Sequence, residues 1–354
     1  MILITIKIIS DFKFFITDLY FYKTQINMTH PYAICLGEIL FDCLADQAEK
    51  TFNKVESWTT YPGGAPANVA CGLVNLGTTA ALISSVGEDT EGKKLVQILQ
   101  EIGVDTSGIQ GHPYAQTRKV YVLRSKTGER EFAGFGKQTT TEFADTYLKA
   151  ELLPESLFLN GEFLILGTLG LAYPQTRQAI YQALDLADRY HLKIMVDVNW
   201  RPSFWPNPDD AKPLIQSILK RSDFVKLSLE EAEWLFDCTD PAAITYRLDS
   251  VEGLLLTAGN QGCAYYLSEN EGKVPAFSVD AVDTTGAGDG FVAGFIHQLR
   301  QYGIRRLQQP GVAKQIVTYA SAVGAITTTK LGAVTAQPTE SEVEAFLGSY
   351  LPKN

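Results

Sequence analysis

The run from Val282 to Gly290 constrains the fold of this chain more than any other stretch. It reads V-D-T-T-G-A-G-D-G. Apolar residues follow it at helical spacing, for example at Phe291 and Phe295, and predict a helix over 289–301. The segment before it, 276–282, contains β-branched residues and alternates in part, which predicts a strand. The run is therefore predicted to be a tight glycine-rich turn between a strand and the start of a helix.

A turn of this kind can bind an anion. The N–H groups of the first helical turn have no partner within the helix, and the helix dipole adds partial positive charge there. Gly286 and Gly288 let the backbone approach a phosphate closely. Asp289 would stay ionised and accept a proton from an alcohol, while the N–H groups of Gly286, Ala287 and Gly288 hold a transferring phosphoryl group. The alternative is that Asp289 only caps a helix and the glycines only form a turn.

Two segments resemble the signatures of the ribokinase-like (PfkB) sugar kinases, most closely in their fructokinase form. Asp283 to Asp289 matches the D-T-x-G-A-G-D signature, and Gly63 to Ala70 reads G-G-A-P-A-N-V-A. The resemblance implies an α/β fold of three layers, α/β/α, with a mostly parallel central sheet and a small β lid. It also implies that Asp289 is the catalytic base, and that ATP with Mg²⁺ is the phosphoryl donor.

Composition narrows the class of protein. A chain of 354 residues can form one large α/β domain or two smaller ones. The net charge of -10 argues against a nucleic-acid partner, which would need a basic surface. The five cysteines are scattered and odd in number, which favours reduced thiols in a cytoplasmic protein.

The first 27 residues differ from the rest of the chain. They are apolar but interrupted by charges, too often to span a bilayer, so no membrane partner is expected. Met28 precedes the first credible strand. We therefore expect 1–27 to be an N-terminal extension or a start-site artefact, and 28–354 to be the kinase domain.

Strand and helix patterns alternate along most of that domain, which predicts a parallel sheet covered on both faces. The predicted strands are 32–39, 80–86, 163–167, 193–198, 223–227, 253–257 and 276–282, and the predicted helices are 66–76, 91–102, 174–190, 208–220, 229–237 and 289–301. Two stretches, 41–61 and 117–135, resemble antiparallel ribbons instead, the second with a turn at 126–129. They are predicted to form the lid, and a homodimer could form through it.

The resemblance assigns one group of residues to the sugar. Asp42 matches the family's sugar-binding Asp, Gly63 and Gly64 offer close backbone approach, and Asn68 can both donate to and accept from hydroxyl groups. Arg201 belongs to a D-x-N-x-R run and would face the sugar or the transferred phosphate. Taken one at a time, these residues are also ordinary occupants of turns and helix starts.

A second group is assigned to the nucleotide and to cations. The K-L-S-L-E-E run matches an N-x-x-E element with Ser228 in the Asn position, and Glu231 would act through water on Mg²⁺. The alternative is a Ser N-cap followed by acidic residues. The nucleotide turn would comprise Thr257, Gly259 and Gly262. The family's ligands for a monovalent cation such as K⁺ fall on Asp283 and Thr285.

A near match to a P-loop motif also occurs, from Gly87 to Lys94. Lys94 replaces the Ser or Thr that would hold Mg²⁺, and three acidic residues would repel a phosphate. This run is therefore predicted to be a structural turn.

The function implied by the resemblance is phosphorylation of a sugar hydroxyl by MgATP, with fructose as the expected acceptor and fructose 6-phosphate as the product. The alternatives left open are phosphorylation of 2-keto-3-deoxygluconate, another sugar or a nucleoside, and a non-catalytic sugar-binding regulator.

Overall fold

Residues 31–125, 130–249 and 251–350 are described by a computed structural model of the chain. The predicted extension over 1–27 and the predicted turn at 126–129 lie outside these ranges. None of the helices within them is long and apolar enough to cross a membrane.

The strands of the described ranges form two sheets. In chain order they are β1 (Ala33–Leu36), β2 (Leu40–Ala45), β3 (Trp58–Gly63), β4 (Ala80–Gly87), β5 (Asp105–His112), β6 (Lys119–Arg124), β7 (Arg130–Gly134), β8 (Phe163–Leu166), β9 (Lys193–Asp197), β10 (Phe224–Ser228), β11 (Gly253–Thr257), β12 (Cys263–Leu267) and β13 (Asn270–Val274). The larger sheet has nine strands in the order β13-β12-β11-β10-β9-β8-β1-β4-β5. Its strands from β11 to β5 pair in parallel, and β12 and β13 add an antiparallel edge.

Helices cover both faces of this sheet. They are α1 (Ala65–Asn75), α2 (Thr90–Ile102), α3 (Glu155–Asn160), α4 (Pro174–Tyr190), α5 (Ala211–Leu219), α6 (Leu229–Phe236), α7 (Pro241–Leu248), α8 (Ala287–Tyr302), α9 (Pro310–Thr327) and α10 (Glu340–Tyr350). Alternate residues of β1 belong to two separate cores, because successive side chains of a strand point to opposite faces. Ala33 and Cys35 pack with α1, α2, α8 and α9, whereas Ile34 and Leu36 pack with α3 to α7. This arrangement confirms the predicted three-layer α/β/α fold with a mostly parallel central sheet.

The smaller sheet contains four strands in the order β3-β2-β6-β7. β2 and β3 form one antiparallel ribbon, and β6 and β7 form another. The two ribbons are joined by parallel pairing of β2 with β6. The stretches predicted at 41–61 and 117–135 thus lie side by side in one sheet, while their role as a lid stays a prediction.

The strand predicted at 276–282 is wrong. This segment runs largely exposed and pairs with neither sheet, and the Val282 side chain is 61% exposed. The edge of the large sheet is occupied instead by β13, which the sequence did not reveal. Phe277 packs against Phe346 and Tyr350 of α10, at ring-centroid distances of 5.2 and 5.1 Å. Its apolar character therefore serves a helix contact and not a sheet.

Candidate active site

Asp289 lies in the first turn of α8 and is buried. Only 8% of its surface is exposed. Gly286 caps this helix with a φ of 81°, a conformation that favours glycine. A Cβ at Gly286 would also lie 2.9 Å from the Cβ of Ala333, so the turn requires glycine for space as well. The helix start predicted from the sequence is confirmed, although a loop and not a strand leads into it.

The amides predicted to hold an anion are at this helix start, but they are not equivalent. The N–H of Ala287 donates to the Thr284 carbonyl at 3.3 Å, so it is already engaged. Gly288 lies next to the ammonium group of Lys226. A Cβ at Gly288 would be only 2.9 Å from the Nζ of that lysine. Positive charge at this turn thus comes from the helix dipole and from a side chain together.

Lys226 is the residue of this site that sequence reasoning missed. It lies on β10, is 7% exposed, and donates to both carboxylate oxygens of Asp197 at 2.9 Å. Burial disfavours its charged form, but the carboxylates of Asp197, Glu231 and Asp289 together outweigh that effect and raise the pKa of Lys226. A lysine inside the otherwise apolar sequence Phe224–Leu227 was the signal available, since buried lysines are rare unless they are paired.

Asp289 contacts the predicted sugar side of the site directly. The side-chain amide of Asn68 donates to Asp289 Oδ2 at 2.7 Å. Burial raises the pKa of Asp289, and the hydrogen bond from Asn68 and the charges of Lys226 and Arg201 act in the opposite direction. The Oδ1 atom of Asn68 is buried and accepts no hydrogen bond from the described protein, so a hydroxyl group would satisfy it.

Asp42, Gly63 and Gly64, which are also predicted to bind the sugar, lie close to the start of α1. A Cβ at Gly63 would lie 2.5 Å from Asp42 Oδ2, which places that carboxylate of β2 against the backbone leading into α1. Gly64 caps α1 with a φ of 103°, and a Cβ there would lie 2.5 Å from the Glu38 carbonyl. Arg201 is exposed, and its charge acts on both Asp197 and Asp289.

A cavity of about 450 Å³ lies at the start of α8 and is lined in part by Gly288. Its lining is mostly apolar and includes Phe277 and Phe291. The lining also includes all three residues of the predicted nucleotide turn, namely Thr257, Gly259 and Gly262. The structure therefore joins this turn and the start of α8 around one space.

Ser228 and Glu231 do not line that cavity. They form a capping box at the start of α6, in which Ser228 Oγ accepts from the Glu231 N–H and Glu231 Oε2 accepts from the Ser228 N–H. Glu231 Oε1 accepts from the Trp200 N–H at 2.6 Å. The alternative considered for these residues, a capped helix start, is thus present in the structure. Glu231 also fixes the chain next to Arg201.

Asp283 and Thr285 hold two turns together. Asp283 Oδ1 accepts from the N–H and the hydroxyl of Thr285, at 3.0 and 2.7 Å, and Oδ2 accepts from the Gly332 N–H at 2.9 Å. The carboxylate is 4% exposed. It ties the turn before α8 to the turn that follows α9.

The resemblance of Gly87–Lys94 to a P-loop has a structural explanation. Asp89 caps α2, and its carboxylate accepts from the N–H groups of Gly92 and Thr117 at 2.7 and 2.8 Å. The place that a phosphate would take at this helix start is filled by the protein's own carboxylate.

Comparison with known protein families and curated proteins agrees with the resemblance to sugar kinases seen in the sequence. The family model described as "pfkB family carbohydrate kinase" matches residues 30–340. The chain belongs to the pfkB family of carbohydrate kinases. Among the curated relatives of this kinase, "Probable fructokinase-2" of Arabidopsis thaliana is 34% identical over 317 residues, which cover 89% of this chain and 95% of the relative. Fructokinase-1 of Zea mays is 34% identical over 313 residues, covering 88% and 95% of the two chains.

Solved structures of related proteins have the same fold as this kinase. A fructokinase from Xylella fastidiosa with bound ATP has a TM-score of 0.81 and 28% identity, covering 90% of this chain and 98% of that one. A fructokinase double mutant from Vibrio cholerae O395, with fructose, ADP and a potassium ion bound, has a TM-score of 0.78 and 25% identity, covering 90% and 98%. A related E. coli protein with ATP and Mg²⁺ bound has a TM-score of 0.80 and 26% identity, covering 90% and 100%.

Proposed function

We propose that this kinase transfers the γ-phosphoryl group of ATP to fructose and forms fructose 6-phosphate. The observation that carries the proposal is the position of Asp289. Its carboxylate accepts a hydrogen bond from Asn68 at 2.7 Å, and Gly288, one residue before it, lines the 450 Å³ cavity. Fructokinases are the curated relatives at 34% identity, and fructose and ADP are bound together in the Vibrio cholerae structure.

The proposed chemistry is an in-line displacement. The sugar hydroxyl oxygen bonds to the γ-phosphorus, its proton passes to Asp289, and the bond from that phosphorus to the ADP oxygen breaks. The N–H of Gly288 and the ammonium of Lys226 stabilise negative charge on the transferring group. Asn68 and Asp42 orient the sugar, and Arg201 faces the reacting end.

Mg²⁺ is proposed as the partner of the nucleotide. This ion prefers a few carboxylates together with substrate phosphates and water over an all-protein cage. Glu231 supplies a carboxylate of that kind, since its two oxygens are held in place by the N–H groups of Trp200 and Ser228. Glu231 is the carboxylate proposed to act on it through water. When bound, Mg²⁺ would supply positive charge that offsets the negative charge of the phosphates.

K⁺ is proposed at Asp283 and Thr285. A buried carboxylate and a hydroxyl group are oxygen donors of the kind that hard cations take, and the Vibrio cholerae relative holds a potassium ion. Activity in K⁺, compared with an equal concentration of tetramethylammonium, tests this assignment. We also propose that the small sheet acts as a lid, because its strand β2 carries Asp42.

A sugar panel tests the function. Fructose, 2-keto-3-deoxygluconate, ribose, glucose and adenosine are each offered with MgATP, and ADP release is measured against a blank without sugar. We expect fructose to be turned over with the highest kcat/KM. A preference for another acceptor would leave a kinase with a different substrate. ADP release that no acceptor stimulates would contradict the proposal.

A further inference from the structure

A buried arginine lies where the small sheet meets the body of the protein. Arg118 directly precedes β6, and its side chain has no exposed surface. It donates to both carboxylate oxygens of Asp145 at 2.7 and 3.0 Å, and to the hydroxyl of Tyr173 at 3.2 Å. It also donates to the carbonyl and hydroxyl of Thr140, at 3.1 and 3.2 Å.

Four aromatic rings surround this guanidinium. Its central carbon lies 4.6 to 5.6 Å from the ring centroids of Phe143, Phe135, Tyr173 and Phe204. Because the arginine is paired with Asp145 and fixed by five hydrogen-bond contacts, the rings lie around a rigid cation. We call Arg118 and these four rings the arginine cage.

One ring of the cage belongs to the loop that carries Arg201. Phe204 ends the short 3-10 turn Pro202–Phe204, and its N–H donates to the Arg201 carbonyl at 3.0 Å. The Phe204 carbonyl accepts from the hydroxyls of Thr140 and Tyr173, both at 2.8 Å. The loop is thus fixed downstream of Arg201 by these two hydrogen bonds and by the packing of the Phe204 ring in the cage.

The same loop is fixed upstream of Arg201, where Glu231 Oε1 accepts from the Trp200 N–H. Arg201 itself is exposed, and its side chain donates a 3.3 Å hydrogen bond only to the neighbouring Trp200 carbonyl among the described contacts. A long, exposed side chain such as that of Arg201 loses rotamer entropy when it is held in one conformation. Few side-chain contacts hold it, so the position of the Arg201 backbone determines which atoms its guanidinium can reach.

The cage also contacts the far edge of the small sheet. The Phe204 ring lies 5.7 Å from Phe132 on β7 and 5.0 Å from Phe135, which follows that strand. The sheet that presents Asp42 and the loop that presents Arg201 are therefore packed through one side chain.

We propose that Phe204 is a positioning residue for Arg201, because its ring, held in the arginine cage, ties the Arg201 loop to the β7 edge of the small sheet. This inference rests on the proposed kinase function, in which Arg201 faces the reacting end. Small displacements of such a group reduce rates strongly, by about 10²-fold per ångström in unfavourable cases.

A double-mutant cycle tests the inference. Phe204→Ala, Arg201→Ala and the double variant are compared for kcat and KM with the acceptor sugar that the panel identifies. We expect Phe204→Ala to lower kcat/KM by about 10- to 100-fold. In the Arg201→Ala background it should add less than about twofold, since a residue that acts only through Arg201 has nothing left to position. Phe204→Tyr, which keeps the ring, should stay close to wild type.

Phe52 supplies the matched control. It is half-buried like Phe204 and contacts two rings, Trp58 and Tyr121, elsewhere on the small sheet. The effects of Phe52→Ala and Arg201→Ala on kcat/KM should multiply. Phe204→Leu replaces Phe204→Ala if the latter does not fold, because it keeps apolar packing and removes only the ring.

Hydrogen exchange gives a readout that does not depend on the sugar. Amides over 200–205 should exchange faster in Phe204→Ala and not in Phe52→Ala. Unchanged exchange, multiplicative losses in the cycle, or an Arg201→Ala variant of wild-type activity would each overturn the inference. Failure of the wild type in the sugar panel would instead count against the proposed function.

Discussion

The side chain of Asn68 donates a 2.7 Å hydrogen bond to the carboxylate of Asp289, across 221 positions of sequence. The contact joins the start of α1 to the start of α8. A single hydrogen bond thus links the predicted sugar segment with the predicted proton acceptor, and it lowers the pKa of that acceptor against the larger, opposite effect of burial.

Removing this bond should change the pH dependence of catalysis. A hydrogen bond to the charged form lowers the pKa of an acid, so Asn68→Ala should raise the pKa of Asp289 further. Since the base must be deprotonated, the acid limb of the kcat profile should move to higher pH. Asn75→Ala, in the same helix but bonded to the Gln337 carbonyl, is the control. Equal acid limbs for Asn68→Ala and wild type would contradict the assignment.

The Gly288 position should not accept a side chain. A Cβ there would lie 2.9 Å from Lys226 Nζ, and that ammonium is held by both oxygens of Asp197. Gly288→Ala should therefore lower kcat by about 10- to 100-fold, because the amide and the cation no longer meet one phosphoryl group. Gly311→Ala is the control, since nothing lies within 4 Å of its Cβ position. Steady-state kinetics with varied ATP check the comparison.

Sugar binding should depend on Asp42. Loss of a charged acceptor costs about 1.5–3 kcal/mol of hydrogen bonding, so Asp42→Ala should raise the KM for fructose by roughly 10- to 100-fold. The KM for ATP should change by less than about twofold. Asp46→Ala removes a carboxylate just beyond the end of the same strand and should alter neither constant. A larger effect of Asp42→Ala on ATP than on sugar would place Asp42 elsewhere in the mechanism.

Glu38 should make stability pH-dependent. Burial raises its pKa to about 7, above the ordinary value of about 4.3. The folded state then binds the proton more tightly than the unfolded state, so this group's contribution to stability falls as pH rises from about 4 to about 7.

In the wild type, Glu38 Oε1 accepts a hydrogen bond from the Ala65 N–H at 3.1 Å. The side chain of Glu38→Gln keeps an oxygen for this bond but cannot ionise. Between pH 5 and pH 8 the wild type should lose up to about 3 kcal/mol of unfolding free energy relative to this variant. Chemical denaturation at both pH values measures the difference, with the exposed Glu56→Gln as the control. A constant difference across the interval would contradict the expected titration.

Much of the fold could be predicted from the sequence, because parallel strands and their helices leave strong local patterns. The central strand near 32–39 and the helix that begins near Asp289 are examples. Pairing between distant segments leaves no such pattern. Phe277 was therefore assigned to a strand, because its partner, Phe346, is far away in sequence. Strands β5 and β13 were missed because they contain few apolar residues. β12 was also missed, although it pairs with β11 and β13 close by in the chain.

The residues of the site also divide into those that sequence motifs indicated and contacts that no motif revealed. Asp289 and Asn68 lie in motifs that could be recognised, but their hydrogen bond could not be predicted. The ion pair of Lys226 with Asp197 was missed since each residue ends or interrupts an ordinary strand. The expectation that Asp289 simply stays ionised at the helix start took no account of its burial, which raises its pKa.

A single-turnover measurement tests whether Asp289 is the proton acceptor. The rate of fructose 6-phosphate formation is compared between Asp289→Asn and the wild type, with saturating MgATP and fructose. The substitution keeps the shape of the side chain and removes the proton acceptor. We expect the rate to fall by about 10²–10⁴-fold, or roughly 3–5 kcal/mol of barrier, with little change in fructose affinity. A variant that forms fructose 6-phosphate at the wild-type rate would contradict the account.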